Sequence, residues 1–266
     1  MEGVDAISNE LLYTLATELS ASDTVAMVLA GSAARNVATA YSDIDLAHIM
    51  PEGYAGPEKR FHYRDGRLIS VSMRPMTWWR RAGTQPERAI FLVPAMRDAR
   101  ILLDPDGEFR RYLRELQDFS WTPLQPAANR FAGAALAAQA ETVHKVLSAL
   151  VRNEGLFESV APLALDLTQI VAVQRGALIE TSAQYMHRVR QAVGDSSDWS
   201  RFHRLATAQP RPNAPSTTLR AQGLAVLHLY LETFRMIEDI MLPDRHALAA
   251  ATCSVVHQAL QSDSLA

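Results

Sequence analysis

The segment from Gly31 to Leu46 constrains the fold of this chain more than any other part of the sequence. It reads GSAARNVATAYSDIDL and follows a short apolar run, 24–29, that is rich in β-branched residues. That run predicts a strand, which Gly31-Ser32 ends. The small residues through 39 predict a helix, and 42–49 predicts a second strand. The segment therefore predicts two strands joined through a Gly-Ser turn and a helix.

Two aspartates of this segment have the spacing of one strand face. Asp43 and Asp45 are two residues apart, so both carboxylates project from the same face, whereas Ile44 and Leu46 point into the core. Two neighbouring carboxylates repel each other, and a bound divalent cation removes that cost. Mg²⁺ is typically held by one or two carboxylates together with substrate phosphates. The spacing therefore predicts a Mg²⁺ site.

The Gly31-Ser32 turn supplies a second feature, a site for phosphate. A missing side chain lets the backbone approach a phosphate, a serine hydroxyl can donate a hydrogen bond, and a helix N-terminus adds partial positive charge. Arg35, one turn into the predicted helix, is within reach of a triphosphate. A Gly-Ser turn or an Asp-x-Asp pair alone is most often structural. Their occurrence on adjoining elements is what predicts function.

The whole segment resembles the signature of the DNA polymerase β-type nucleotidyltransferase superfamily, specifically its small antibiotic-modifying members. The resemblance implies that the protein uses Mg²⁺ to transfer a nucleoside monophosphate from a nucleoside triphosphate, ATP by default, to a hydroxyl group of a small molecule. It implies metal binding by Asp43 and Asp45. The nucleotide-binding residues that it implies are Gly31, Ser32, Arg35 and Ser42.

One position departs from the pattern of that superfamily. Many members carry a third acid in the following strand, but the strand predicted at 67–73 has Ser70 and Ser72 instead. A serine hydroxyl neither binds metal as a carboxylate does nor accepts a proton near neutral pH. The general base must come from elsewhere, or the protein has lost its chemistry.

From residue 129 onward the sequence changes to helical segments rich in Ala, Leu and Val. Strands with helices first and helices alone afterwards predict an α+β fold, in which a mixed sheet with flanking helices precedes an all-α bundle. Pro123 and Pro126 interrupt both patterns, so we predict domains at 1–122 and 123–266. The predicted bundle helices are 129–152, 160–175, 181–193, 217–241 and 244–262, with a loop at 209–215.

Glu141 and Lys145 form an i, i+4 pair in the first predicted bundle helix. Such pairs are common on exposed helix faces, and alone this one indicates only a surface ion pair. This half of the chain, however, resembles the kanamycin (aminoglycoside 4′) nucleotidyltransferases. The stretch 171–185, VAVQRGALIETSAQY, resembles their helix, break and Thr-Ser-Ala helix start. The resemblance implies that Glu141 is the general base, that Lys145 binds the nucleotide phosphates, and that the protein is a homodimer.

The composition of the chain limits the cellular compartment and the classes of partner that we expect. The net charge of -3 gives no support for nucleic-acid binding, and the single cysteine, Cys253, rules out an intramolecular disulfide and fits a reducing compartment. The first twenty residues do not have the composition of a signal peptide, and no run approaches the roughly 18 apolar residues of a membrane span. We therefore expect a cytoplasmic protein without a nucleic-acid or membrane partner.

The acceptor stays open at this stage. An enzyme that modifies polycationic aminoglycosides is expected to line its cleft with carboxylates. The chain offers Glu52, Glu58 and Asp65, but these alternate with Lys59 and three arginines. An aminoglycoside, a lincosamide or other neutral hydroxylated compound, and an unrelated metabolite are alternatives. Two further classes are open: a nucleotidyltransferase that modifies a protein, and an inactive nucleotide-binding regulator.

Overall fold

The computed structural model describes residues 7–208 and 216–262. The chain divides into two compact units, Met1–Ser120 and Trp121–Ala266. The first unit contains a mixed sheet with helices, and the described part of the second is helical. The α+β fold class is therefore confirmed. The loop predicted at 209–215 lies outside the described residues.

The first unit is built on a five-stranded sheet in the order β3-β4-β2-β1-β5. Strands β2 and β4 are parallel, and the other neighbours are antiparallel. The elements are α1 (Asn9–Leu19), β1 (Ala26–Ala30), α2 (Gly31–Ala34), β2 (Ile44–Met50), β3 (Lys59–Arg64), β4 (Arg67–Pro75), α3 (Met76–Thr84), α4 (Pro86–Arg97), β5 (Arg100–Leu103) and α5 (Glu108–Gln117).

The two faces of this sheet differ in what covers them. One face packs on α1, and its core includes Leu12, Leu15, Met27, Leu29, Ile44, Leu46, Ile69 and Val71. Ile44 and Leu46 are 0% and 2% exposed, so the prediction that both point into the core is confirmed. Because side chains alternate along a strand, Asp45 lies on the opposite face. That face borders a cavity whose far wall is formed by α3 and α4.

The second unit is a bundle in which α8 contacts α6, α7 and α11. The helix predicted at 129–152 is in fact two helices that meet at Gln139, and one helix, at 198–206, was not predicted. One buried polar contact joins two of these helices: His203 Nε2 lies 2.9 Å from Thr168 Oγ1. The helices are α6 (Gln125–Ala138), α7 (Ala140–Arg152), α8 (Leu156–Arg175), α9 (Tyr185–Val193), α10 (Asp198–Ala206), α11 (Ser216–Ile237) and α12 (Pro243–Gln261).

Within the described residues, α8 alone has the length and composition of a membrane-crossing helix. It has 20 residues and a mean hydropathy of 1.5 over its most apolar window, and 56% of that window is buried within the protein. A core helix of a soluble protein passes the same test, so α8 is weak evidence for a membrane span.

Candidate active site

The backbone of Gly31 lies against the carboxylate of Asp45. Ala30 pairs with Asp45 in the antiparallel β1–β2 ladder, which brings the following residue, Gly31, beside the aspartate side chain. A Cβ atom on Gly31 would lie 2.3 Å from Asp45 Oδ2, and φ at this position is +67°. Both the contact and the left-handed backbone require glycine. The Gly-Ser turn and the acid that the sequence singled out are therefore in contact.

Asp43 lies one residue before β2, which begins at Ile44, so the predicted start of this strand at residue 42 is wrong. Ser42 explains the late start. Its Oγ accepts a hydrogen bond from the backbone N–H of Thr39 at 2.8 Å and lies 3.1 Å from the Thr39 hydroxyl, which closes a turn. Ser42, predicted to bind nucleotide, therefore holds the loop that leads into β2.

The electrostatic surroundings of Asp45 oppose its ionisation. Burial raises the pKa of Asp45, the negative charge of Asp43 raises it further, and the positive charges of Lys59 and Arg35 offset these effects only in part. No ion pair among the described residues includes either aspartate. A divalent cation between the carboxylates would reverse this balance.

The helix after the Gly-Ser turn is shorter than predicted. It ends at Ala34 rather than continuing through 39, and Asn36 takes a left-handed conformation with φ of 59°. One turn carries little of the dipole of a longer helix. Arg35 follows this turn, and its Nη1 lies 4.0 Å from Asp98 Oδ2. The carbonyl of Ser32 accepts a hydrogen bond from the backbone N–H of Val37 at 3.0 Å.

Strand β4 places Ser70 and Ser72 beside β2. In the parallel β2–β4 ladder, Ser70 pairs with Asp45 and Ser72 with Ala47. Paired residues share a face, so both serines lie on the face of Asp45. Ser70 is only 3% exposed. A hydroxyl, and not a carboxylate, therefore stands next to Asp45.

Strand β3 adds a residue that the sequence analysis did not assign to the site. Lys59 pairs with Ser72 and Phe61 with Ser70, so both lie on the face of Asp45, at its exposed edge. The positive charge of Lys59 lowers the pKa of Asp45. The sequence signal was its rarity, because Lys59 and Lys145 are the only lysines in the chain.

A cavity of about 530 Å³ opens beside Asp45 within the first unit. Trp78 and Trp79 both line it, and Trp79, which is 4% exposed, also packs edge-on against Phe109 with ring centroids 6.2 Å apart. Trp78 is the more exposed of the two in the cavity wall, and Trp79 also anchors the helix. The cavity is lined by Ala30, Gly31, Asp45, Leu46, Ala47, Ser72, Trp78, Trp79, Ala82, Glu87, Arg88, Phe91, Leu92, Ala95 and Met96.

Glu141 and Lys145 lie on an exposed face of α7 in the second unit. Lys145 Nζ is 2.7 Å from Glu141 Oε1, and the side chains are 63% and 79% exposed, respectively. The hydrogen bond from Lys145, and then its charge, lower the pKa of Glu141. Within one chain the pair is a surface ion pair beside a shallow groove that His144 also lines. Its predicted catalytic role stays a prediction.

Comparison with known proteins bears on the fold alone. No family model and no curated protein matches this chain. Among solved structures, it is similar to the crystal structure of a nucleotidyltransferase-like protein from Exiguobacterium sibiricum 255-15. The TM-score is 0.50 at 13% identity, over 85% of this chain and 76% of the other. The chain has a nucleotidyltransferase-like α+β fold.

This structural similarity does not test the other predictions, which concern the resemblance to antibiotic-modifying enzymes, the metal and the residues of the site. Among the described residues, no group of three or more His, Cys, Asp or Glu side chains is arranged to hold a metal ion. The protein thus offers Asp43 and Asp45 as two carboxylates, and Mg²⁺ commonly completes its shell with water and substrate phosphates.

Proposed function

We propose that this protein is a Mg²⁺-dependent nucleotidyltransferase that transfers a nucleoside monophosphate from a nucleoside triphosphate, with ATP as the default donor, to a hydroxyl group of a small molecule. Pyrophosphate is the leaving group. The observation that carries the proposal is the contact between Gly31 and Asp45. It joins a turn able to approach phosphate to a carboxylate that forms no ion pair among the described residues.

The residues present fit a divalent cation. Asp45 is partly buried, Asp43 raises its pKa, and their carboxylate oxygens are the ligands that Mg²⁺ prefers. When bound, the metal would withdraw charge from the phosphate oxygens and lower the barrier to displacement at the α-phosphorus. Asp43 and Asp45 would hold it, and the Gly31-Ser32 backbone and the Ser32 hydroxyl would position the phosphates.

Two cations of the first unit are suited to the triphosphate. Lys59 and Arg35 are close enough to Asp45 to lower its pKa, and each can hold phosphate oxygens near the acid pair. Fixed positive charges in such places stabilise the negative charge that builds on the leaving pyrophosphate. We include Lys59 with Arg35 among the nucleotide-binding residues.

The general base in this proposal is Glu141, as the resemblance to the kanamycin nucleotidyltransferases implies. A glutamate carboxylate is ionised at neutral pH and can accept the proton of an attacking hydroxyl. The ion pair with Lys145 lowers the pKa of Glu141 and so favours this ionised form. Lys145 contributes to phosphate binding. We further propose a homodimer, in which Glu141 acts in its own chain or in its partner.

Two other functions are alternatives, and one of them rests on the serines of β4. The absence of a carboxylate at Ser70 and Ser72 would also suit an inactive regulator that binds nucleotide. The same fold would suit an enzyme that modifies a protein. These alternatives predict binding without transfer in the first case and label on protein in the second.

The proposal is tested by transfer of label from [α-³²P]ATP in the presence of Mg²⁺ and a panel of hydroxylated antibiotics and sugars. Asp43→Asn and Asp45→Asn should each reduce transfer about a thousandfold, because loss of metal stabilisation removes several kcal/mol. Asp65→Asn is the matched control, since this exposed acid lies in the β3–β4 turn with φ of 52°, which asparagine adopts readily.

The outcomes separate the three functions. Label on a small molecule that disappears with EDTA and with Asp45→Asn supports the proposal. Label on protein supports the protein-modifying alternative, and nucleotide binding without any transfer supports the regulator. Normal transfer by Asp45→Asn at saturating Mg²⁺ contradicts the metal assignment.

A further inference from the structure

The cavity beside Asp45 differs in character from a site for a polycation. On the sheet side its lining includes the small residues Ala30 and Ala47. On the helix side α4 contributes Arg88, Phe91, Leu92 and Ala95, which are spaced as one stripe of a helix. Its volume, about 530 Å³, lies within the range of small-molecule sites. The cavity therefore offers an apolar surface that leads to the acid pair.

Few negative charges are available to attract amines to this cavity. Asp45 and Glu87 are the acids in its lining, and in the proposed function Asp45 binds metal. Glu87 is next in sequence to Arg88, which also lines the cavity. One carboxylate beside one guanidinium gives no net attraction for a molecule that carries several ammonium groups.

Two of the three acids that the sequence offered for this purpose, Glu52 and Glu58, have partners elsewhere in the first unit. The carboxylate of Glu52 accepts hydrogen bonds from the backbone N–H and the hydroxyl of Thr77, at 2.9 and 2.7 Å, and so caps the start of α3. Glu58 forms an ion pair with Arg74. Each has a structural partner within the first unit, so neither is free to bind an amine.

Positive charge instead flanks the aromatic wall. The guanidinium carbons of Arg74 and Arg88 lie 5.0 and 5.6 Å from the centre of the Trp78 ring. The two arginines hold the indole in place, and their charges are balanced by Glu58 and Glu87, so the wall carries no excess of negative charge. A cationic acceptor gains no attraction here, whereas an uncharged flat ring can contact the apolar surface of Trp78 and Phe91.

We propose that this cavity binds the acceptor, and that the acceptor is an uncharged hydroxylated compound with a flat apolar ring rather than a polycationic aminoglycoside. This inference rests on the proposed function, since it assigns the acceptor of that reaction. The ring would contact Trp78 and the α4 stripe, and a hydroxyl would be directed towards Asp45.

The test measures binding of two probes to the full-length protein by ligand-observed NMR titration with Mg²⁺ and a nonhydrolysable ATP analogue present. The probes are phenyl β-D-glucopyranoside, which is uncharged and has a flat ring, and kanamycin, which is a hydroxylated polycation. We expect the glucoside to bind and kanamycin to bind at least tenfold more weakly. Trp78→Ala and Phe91→Ser should each weaken glucoside binding, by about tenfold for the tryptophan.

Arg88→Glu and Tyr13→Ala complete the design. Arg88→Glu should improve kanamycin binding and so reduce the difference in affinity between the glucoside and kanamycin, because it reverses a charge in the cavity lining. Tyr13 is 56% exposed on α1, which packs on the other face of the sheet, so Tyr13→Ala should leave both titrations unchanged. Circular dichroism of each variant identifies any that fails to fold, and the exposed positions Phe91 and Arg88 keep the test available if Trp78→Ala unfolds.

Three results of these titrations would overturn the inference. Tighter binding of kanamycin, or glucoside binding that is insensitive to both Trp78→Ala and Phe91→Ser, overturns the inference. Glucoside binding that is seen without the ATP analogue and lost when the analogue is added also overturns it, because the cavity would then hold the nucleoside. The proposed function fails separately: without label transfer from [α-³²P]ATP to any acceptor the protein is not the proposed enzyme, even if the glucoside binds in the cavity as expected.

Discussion

The Asp43–Asp45 pair and the Glu141–Lys145 pair have opposite electrostatic surroundings. Asp43 and Asp45 are partly buried and form no ion pair among the described residues. Burial raises the pKa of Asp45, and repulsion from Asp43 raises it further. Glu141 is highly exposed and has its own cation, Lys145, which lowers the pKa of Glu141. A cation from outside the chain would compensate the charges of the two aspartates. The charge of Glu141 is already compensated by Lys145, so the geometry of that pair alone gives no evidence of function.

The largest expected effect is a loss of turnover in Glu141→Gln, which tests whether the Glu141–Lys145 pair has a catalytic role. The substitution keeps shape and hydrogen bonding but removes basicity. If Glu141 is the base, kcat should fall by about 10²- to 10⁴-fold with little change in nucleotide affinity. A rate within twofold of wild type would show that the second pair is only a surface ion pair.

Mixing two inactive variants determines which chain supplies the base. In a homodimer whose sites combine Asp45 of one chain with Glu141 of the other, a mixed dimer of Asp45→Asn and Glu141→Gln protomers regains one intact site. Measurable transfer after mixing therefore indicates action across the dimer. No recovery, with co-purification of one variant on an affinity tag carried by the other showing that mixed dimers form, indicates that both residues act within one chain.

Lys145→Ala sharpens the same comparison through pH dependence. Because Lys145 lowers the pKa of Glu141, the base stays ionised below the ordinary range of a glutamate, and activity is lost only as the pH falls through that lowered pKa. Removing the lysine should shift the acid limb of the kcat profile to higher pH and should weaken nucleotide binding. An unchanged acid limb would show that Glu141 is not the group whose titration limits activity at low pH.

A glycine pair isolates the contact on the acid side. Gly31 and Gly66 both have left-handed backbones, with φ of +67° and +75°, but a Cβ on Gly66 meets nothing within 4 Å. Alanine at either position should cost about 1–2 kcal/mol of backbone strain. Only Gly31→Ala should also displace Asp45, and we expect it to lower turnover about 10²-fold. Equal turnover of the two variants would contradict a functional role for the contact.

The smallest expected effect is on thermal stability. Without metal, Asp45→Asn should raise the melting temperature, on the order of 2 °C, because it removes a partly buried charge that has a repelling neighbour. Glu141→Gln should lower the melting temperature slightly or leave it unchanged, since it removes an exposed ion pair. Differential scanning calorimetry in EDTA measures both, and a fall for Asp45→Asn would mean that its charge is already compensated.

The sequence predicted those features that leave a local pattern. Strands β1, β2 and β4 are apolar runs or alternations, and the Gly31 and Asp45 positions belong to one contiguous motif. Strand β3, KRFHYR, was not predicted because it is exposed throughout and is held by pairing with β4. The start of β2 was misplaced because the Thr39–Ser42 turn leaves no periodicity.

The cavity could not be predicted, for a different reason. Trp78 lines it only because α3 and α4 pack beside the Asp45 face of the sheet, and α4 itself was not recognised. Its apolar residues serve two surfaces, so no single stripe stands out: Ile90 and Val93 are buried, whereas Phe91 and Leu92 line the cavity. Tertiary packing, rather than local propensity, determines which residues stand beside the acid pair.

The central claim is that Asp43 and Asp45 hold a divalent cation beside the Gly31-Ser32 turn. Electron paramagnetic resonance titration with Mn²⁺, with and without a nonhydrolysable ATP analogue, tests it most directly. Wild type and Asp65→Asn should bind Mn²⁺ more tightly with the nucleotide than without it, because carboxylates and phosphates share the metal, and Asp45→Asn should lose this enhancement. Equal Mn²⁺ binding by wild type and Asp45→Asn in the presence of nucleotide would contradict the account.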